Sequence, residues 1–121
     1  MQDSLVIIVE DDAAIRTSFQ RLLNMIGVRT RVFASGEELL MANPFDEKCC
    51  MLVDYQLPGM NGLEVLRRVA AIKPSIPAVL VSGETNPAIG QAATRRGAVA
   101  VLSKPVSDSG LLDCLAEVLG P

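Results

Sequence analysis

At 121 residues, 50% hydrophobic and 3% aromatic, the chain is long enough for one domain that buries roughly two thirds of its unfolded surface without a disulfide staple. Its net charge of -3 comes with no Lys/Arg cluster and no interleaving of aromatic with basic residues, which argues against direct nucleic-acid binding by this segment. It contains no histidine, which excludes a phosphohistidine carrier, a His-dependent hydrolase and a His-ligated zinc enzyme.

The amino terminus lacks the basic segment and long apolar core of a signal peptide, so the expected location is the cytoplasm. No apolar run approaches the ~20 residues that span a bilayer, and no membrane contact is expected. Leu5-Val6-Ile7-Ile8-Val9 is a continuous β-rich run, the mark of a central parallel strand, and it ends in Glu10-Asp11-Asp12. The next segment carries Ile15, Phe19, Leu22, Leu23 and Ile26 at helical spacing, with Gly27 as its stop. Asp12, at the start of that helix, reads as its N-cap rather than as a ligand. Residues 28–33 alternate apolar and polar, which suits an edge strand with one wet face.

Ser35-Gly36-Glu37-Glu38 matches a capping box that opens a short helix to about Ala42, and residues 43–48 form a loop. Cys50-Met51-Leu52-Val53 reads as a strand buried on both faces that delivers Asp54 to a loop marked by Pro58, Gly59 and Gly62. A helix with Leu63, Leu66, Val69 and Ala70 on one face then runs to Lys73-Pro74, where proline ends it. Pro77-Ala78-Val79-Leu80-Val81 is the next buried strand, closing with Ser82-Gly83-Glu84. Residues 86–96 form a helix whose apolar face, Ala88, Ile89, Ala92 and Ala93, buries little and anchors it weakly. Val99-Ala100-Val101-Leu102 leads to Ser103-Lys104-Pro105, and a last helix turns Leu111, Leu112, Leu115, Val118 and Leu119 inward. Cys49, Cys50 and Cys114 offer no C-x-x-C or zinc spacing and read as small apolar residues in a reducing compartment. Five alternating βα units without repeat or linker make residues 1–121 one doubly wound α/β domain.

Four strands end on residues with chemical use: Glu10 and Asp11, then Asp54, Ser82 and Lys104. Parallel neighbouring strands bring all of them to one edge of the sheet, where such folds bind ligands. Carboxylates held about 4 Å apart repel by roughly 4 kcal/mol per pair at an effective dielectric near 20, so three together need a cation or shifted protonation. Mg²⁺ suits such a set, since it takes oxygen ligands and keeps positions open for water and phosphate. A metal and a lysine around one carboxylate are the parts of in-line phosphoryl transfer, with Asp54 as nucleophile and Ser82 as hydrogen-bond donor to the arrived group.

These residues resemble a bacterial two-component response-regulator receiver domain, and the likeness covers essentially the whole chain. Glu10-Asp11 stands where that family has an acid pair, and Asp54-Tyr55-Gln56-Leu57-Pro58-Gly59-Met60-Asn61-Gly62 fits its D-x-x-[LM]-P-x-[ML]-[ND]-G pattern. Ser82-Gly83 and Lys104-Pro105 match the ends of its fourth and fifth strands. The resemblance implies a flavodoxin-like (βα)5 fold with strand order 2-1-3-4-5. It implies Asp54 as phospho-acceptor, and Mg²⁺ held by Asp11, Asp54 and the Gln56 carbonyl, with Glu10 acting through water. It further implies a cis Lys104-Pro105 bond. The phosphoryl group would come from a sensor histidine kinase or phosphotransfer protein, with the chain catalysing its own phosphorylation and dephosphorylation and turning over no separate substrate. Output would run through the face of the fourth helix, fifth strand and fifth helix, to a partner or to an effector domain beyond Pro121. A twofold dimer through the last two helices is a family-level expectation, with Arg95 and Arg96 facing Asp108, Asp113 and Glu117; solvated helix faces explain the same charges.

The sequence departs from the family pattern at three places. Glu10 replaces the commoner Asp, Val101 and Leu102 stand where a Phe or Tyr is usual, and Val106 follows the Lys-Pro where an aromatic often does. The missing aromatic supports the alternative of a receiver-like interaction scaffold that works without phosphorylation. A haloacid-dehalogenase phosphohydrolase is disfavoured because Glu10-Asp11-Asp12 is not a D-x-D, and an FMN carrier because three carboxylates repel a phosphate.

Overall fold

The computed structural model describes residues 4–45, 48–84 and 86–120. Asp46 and Glu47 of the expected loop, and the boundary at Pro121, lie outside the described residues. The element order is β1 (Leu5–Val9), α1 (Ala13–Met25), β2 (Arg29–Phe33), α2 (Gly36–Ala42), β3 (Cys49–Asp54), α3 (Gly62–Ile72), β4 (Ala78–Ser82), α4 (Pro87–Arg95), β5 (Ala98–Ser103) and α5 (Asp108–Leu119). The strands form one sheet in the order β2-β1-β3-β4-β5, and every neighbouring pair is parallel. This is the order that the family resemblance implied, in the doubly wound α/β domain expected from the alternating elements.

Side-chain alternation along the strands divides the core into two layers. Ile7, Val9, Met51, Val53 and Leu80 face Leu39 of α2, Val65, Leu66 and Val69 of α3, and Ala93 of α4. Val6, Ile8, Leu52, Val79 and Val81 face Phe19 and Leu23 of α1 and Leu111 and Leu115 of α5. Strands covered on both faces carry no polar alternation, which is why β1, β3 and β4 are buried at every position. The edge strands β2 and β5 alternate instead. Among the described residues, no helix is long and apolar enough to cross a membrane.

Local signals set the helix starts. Asp12 caps α1, accepting from the N–H groups of Ala14 at 2.9 Å and Ile15 at 3.0 Å, as its position predicts. Ser35 caps α2 by accepting the Glu38 N–H at 3.1 Å. The helices differ in detail from expectation: Ile26 lies exposed just past the end of α1, and in α3 Val65 is buried although the expected face omitted it, while Leu63 and Ala70 are partly covered. In α4 Ala93 alone is buried, with Ile89 and Ala92 only partly covered. Ala88 is exposed, because the Asn86 cap places it in a first turn that faces solvent. In α5 Leu111 and Leu115 are buried, whereas Leu112, Val118 and Leu119 are partly covered.

Candidate functional site

Sheet register assembles the site. Val9 pairs with Val53, so Glu10 and Asp54 emerge side by side from β1 and β3. Asp54 pairs with Val81 and Ser82 with Ser103, which brings the ends of β4 and β5 to the same edge. The Lys104 N–H donates to the Ser82 carbonyl at 3.0 Å, extending that ladder one residue beyond the strand. The Lys104-Pro105 bond is cis, as the resemblance implied.

Asp54 is 4% exposed. Its Oδ2 accepts from Lys104 Nζ at 3.0 Å, and its Oδ1 takes the Gln56 N–H at 3.4 Å. Glu10 is 1% exposed. Its Oε2 accepts the Asp12 N–H at 3.2 Å, and its Oε1 lies 3.3 Å from Lys104 Nζ, close enough for ion pairing but without hydrogen-bond geometry. Asp11 is exposed, and carboxylate oxygens of Glu10, Asp11 and Asp54 all lie within 4.8 Å of one another. Ser82 is buried, and its Oγ accepts the Glu84 N–H at 3.0 Å. Gln56 lies exposed in the following loop, its side-chain amide donating to Glu84 Oε1 at 2.7 Å. The structure therefore places Glu10, Asp11, Asp54, Ser82 and Lys104 at one edge of the sheet, with Gln56 in the loop that follows Asp54.

The loop after Asp54 folds back on the acid it follows. Gly62 donates its N–H to the Tyr55 carbonyl at 2.8 Å, and a side chain on Gly62 would run into the Asp54 carbonyl. Gly59 takes a φ of +73° in a turn packed against Glu37 of α2, a backbone region that disfavours side chains. Tyr55 is partly exposed and packs against the core layer beneath.

Three acids with one ammonium leave the cluster short of positive charge. Burial, reinforced by the adjoining Asp54 carboxylate, pushes the Glu10 carboxyl up from 4.5 to about 7. The Asp12 N–H and the Lys104 charge oppose that rise without cancelling it. For Lys104, burial acts to lower the ammonium, but the carboxylates of Asp54 and Glu10 outweigh it and hold it above its ordinary range. The all-oxygen donor set, together with the buried Glu10 Oε1 that has no hydrogen-bond partner among the described residues, fits a hard divalent cation such as Mg²⁺.

Two residues of this neighbourhood were not singled out from the sequence. Glu84 ties the β4 end to Gln56, and Arg16 on α1 reaches back to the carbonyls of Glu10 and Asp11 at 2.9 and 3.4 Å. The legible signal for Arg16 was a basic residue one helical turn past the cap of an acid-led helix.

A family profile described as the response regulator receiver domain matches residues 6–116. The chain belongs to the response-regulator receiver family. It is a receiver domain of the two-component type. This receiver is 33% identical over 112 residues to Nodulation protein W of Bradyrhizobium diazoefficiens, covering 93% of the chain and 49% of that protein. It is 30% identical over 120 residues to Response regulator protein TmoT of Ectopseudomonas mendocina, covering 98% and 54%. The receiver thus spans about half the length of these curated relatives. Among solved structures, a CheY-like response regulator receiver domain protein from Methanospirillum hungatei superposes with a TM-score of 0.90 at 28% identity, covering 96% of this chain and 93% of that one. The crystal structure of FixJ-N gives a TM-score of 0.86 at 30% identity, covering 95% of this chain and 92% of that one.

Proposed function

We propose that Asp54 accepts a phosphoryl group from a phosphohistidine of a sensor histidine kinase or phosphotransfer protein. The observation that carries this reading is a buried carboxylate held 3.0 Å from Lys104 Nζ, with oxygens of Glu10 and Asp11 within 4.8 Å. The carboxylate oxygen bonds to phosphorus while the P–N bond breaks, its electron pair staying on the imidazole. Glu10, Asp11, Asp54 and the Gln56 carbonyl would hold Mg²⁺, which supplies charge neutralisation for the transferring group. Lys104 keeps a fixed positive charge against Asp54 and then against a phosphoryl oxygen. Ser82 holds the Glu84 N–H through a lone pair, which leaves its own proton to donate to that group. Water attack on phosphorus later restores the carboxylate and ends the signal.

Output in this reading uses the α4–β5–α5 face. Val99 and Val101 are exposed there, as are Arg95 and Arg96 at the end of α4 and Asp113 and Glu117 on α5. That arrangement supports contact with a second copy or another partner, and the greater length of the relatives supports an attached effector domain. The second reading, a scaffold that works unphosphorylated, draws on Val101, which is 40% exposed and offers no aromatic ring to rotate inward.

Intact-protein mass spectrometry with a small-molecule phosphodonor separates the two. One Mg²⁺-dependent phosphoryl adduct on the wild type, absent from Asp54→Asn, is the expected result. A folded wild type that takes no adduct from any donor or cognate kinase would transfer the case to the scaffold.

A further inference from the structure

We infer that Arg16 is a positioning residue for the metal-binding carboxylates, acting through the backbone of Glu10 and Asp11; the inference rests on the proposed Mg²⁺ site. Among the described residues the exposed Asp11 carboxylate takes no hydrogen bond, so its place beside Glu10 and Asp54 depends on the main chain that carries it. That main chain is held at successive points. The Glu10 N–H bonds to the Phe33 carbonyl at 3.0 Å, and the Arg16 N–H bonds to the Asp12 carbonyl at 2.9 Å to begin the helical ladder. The carbonyls of Glu10 and Asp11 precede that ladder and lie beyond its reach. Arg16 Nη1 supplies their donor, at 2.9 and 3.4 Å.

The contact also has an electrostatic side. Lys104 sits directly on the acids, 3.0 Å from Asp54 Oδ2 and 3.3 Å from Glu10 Oε1. Arg16 instead carries a permanent positive charge and, among the described residues, its side chain engages only the carbonyls of Glu10 and Asp11. Its contacts leave unoccupied the carboxylate oxygens that a cation needs. A planar guanidinium can also span two carbonyls with one fixed geometry, which a lysine ammonium on a flexible stem does poorly. Partners of this kind, one shell behind metal ligands, typically change affinity 10–100-fold when removed.

The test is Mg²⁺ titration followed by calorimetry and by the emission of Tyr55, the single tyrosine in a chain without tryptophan. Arg16→Ala is expected to weaken Mg²⁺ binding about 10-fold or more while its metal-free melting temperature stays near wild type. Arg16→Lys should recover part of the affinity. In an Asp11→Asn background, Arg16→Ala should add little, because the ligand it positions is already gone. If Arg16→Ala does not fold, Arg16→Met keeps the apolar stem, removes every N–H donor and carries the same expectation. Wild-type affinity in the folded variants, or a full loss repeated in the Asp11→Asn background, overturns the inference alone. A wild type that binds no Mg²⁺ overturns the proposed site and the inference together.

Discussion

The β1–β3–β4 half of the sheet and the α4–β5 half are built to different standards. Every residue of β1, β3 and β4 is buried, and these strands deliver Glu10, Asp54 and Ser82. Beside them, α3 fastens to the sheet through Val65, Leu66 and Val69. On the other side, α4 buries Ala93 fully and Ile89 only in part, and β5 leaves Val99 58% and Val101 40% exposed. Burial of a large apolar side chain contributes about 1.5–3 kcal/mol and of an alanine much less, so displacing α4 costs less than displacing α3. The carboxylate cluster is set in the firm half, and the face that the proposed function uses for output lies in the soft half. Lys104 joins the two, its backbone continuing β5 and its ammonium resting on Asp54.

The largest expected effect follows from the firm half. Leu80→Ala, at a fully buried β4 position, should cost about 2–5 kcal/mol in urea unfolding, whereas Val101→Ala on exposed β5 should cost under about 1 kcal/mol. Similar losses at the two sites would erase the distinction. Metal should sharpen it: at 100 times its dissociation constant, Mg²⁺ stabilises the folded chain by about 2.7 kcal/mol. Asp11→Asn should remove most of that gain, and Val99→Thr should leave it intact, both read from melting temperature against Mg²⁺ concentration.

The firm half was the more legible in sequence. Uninterrupted runs such as Leu5 to Val9 announce strands covered on both faces, and their polar ends announce one edge. Asp12 as a cap and Gly27 as a stop were readable because capping chemistry is local. The inward face of α4 was read less well. With small residues on several sides, helical periodicity lists candidates without ranking them, and only the three-dimensional fit selects Ala93 and rejects Ala88. Arg16 and Glu84 escaped for a related reason: they act on backbone groups or across loops, and no pattern along the chain encodes that distance.

Native-state hydrogen exchange probes the same contrast at smaller amplitude. Amides of α4 should exchange through local opening about 1–3 kcal/mol below the global unfolding free energy, while those of β1 and β3 should exchange only by global unfolding. Phosphorylation or Mg²⁺ should alter α4 protection more than α3 protection. Equal protection of α3 and α4 would mean that Ala93 and the half-covered Ile89 hold their helix as firmly as three fully buried larger side chains hold theirs.

The cysteines give the mildest test, because at neutral pH they change almost nothing. Cys50 lies fully buried in β3, and burial, with Cys49 and Cys114 nearby, pushes its thiol up from 9.0 to about 12. Cys114 on α5 is partly exposed beside Val99 and Ala100, its thiol raised by burial and then by Glu117. A thiol-alkylating reagent at pH 8 should therefore label Cys114 first and reach Cys50 only as the chain unfolds. The pH dependence has a definite sign. Between about pH 9 and 12 the unfolded chain releases the Cys50 proton while the folded chain retains it, so stability falls as pH rises and is fully present below 9. Cys50→Val, which keeps the bulk without the proton, should flatten that part of the curve relative to wild type. A slope unchanged by Cys50→Val would show that β3 opens to solvent too readily to protect its own thiol, and the contrast between the two halves would lose its firm side.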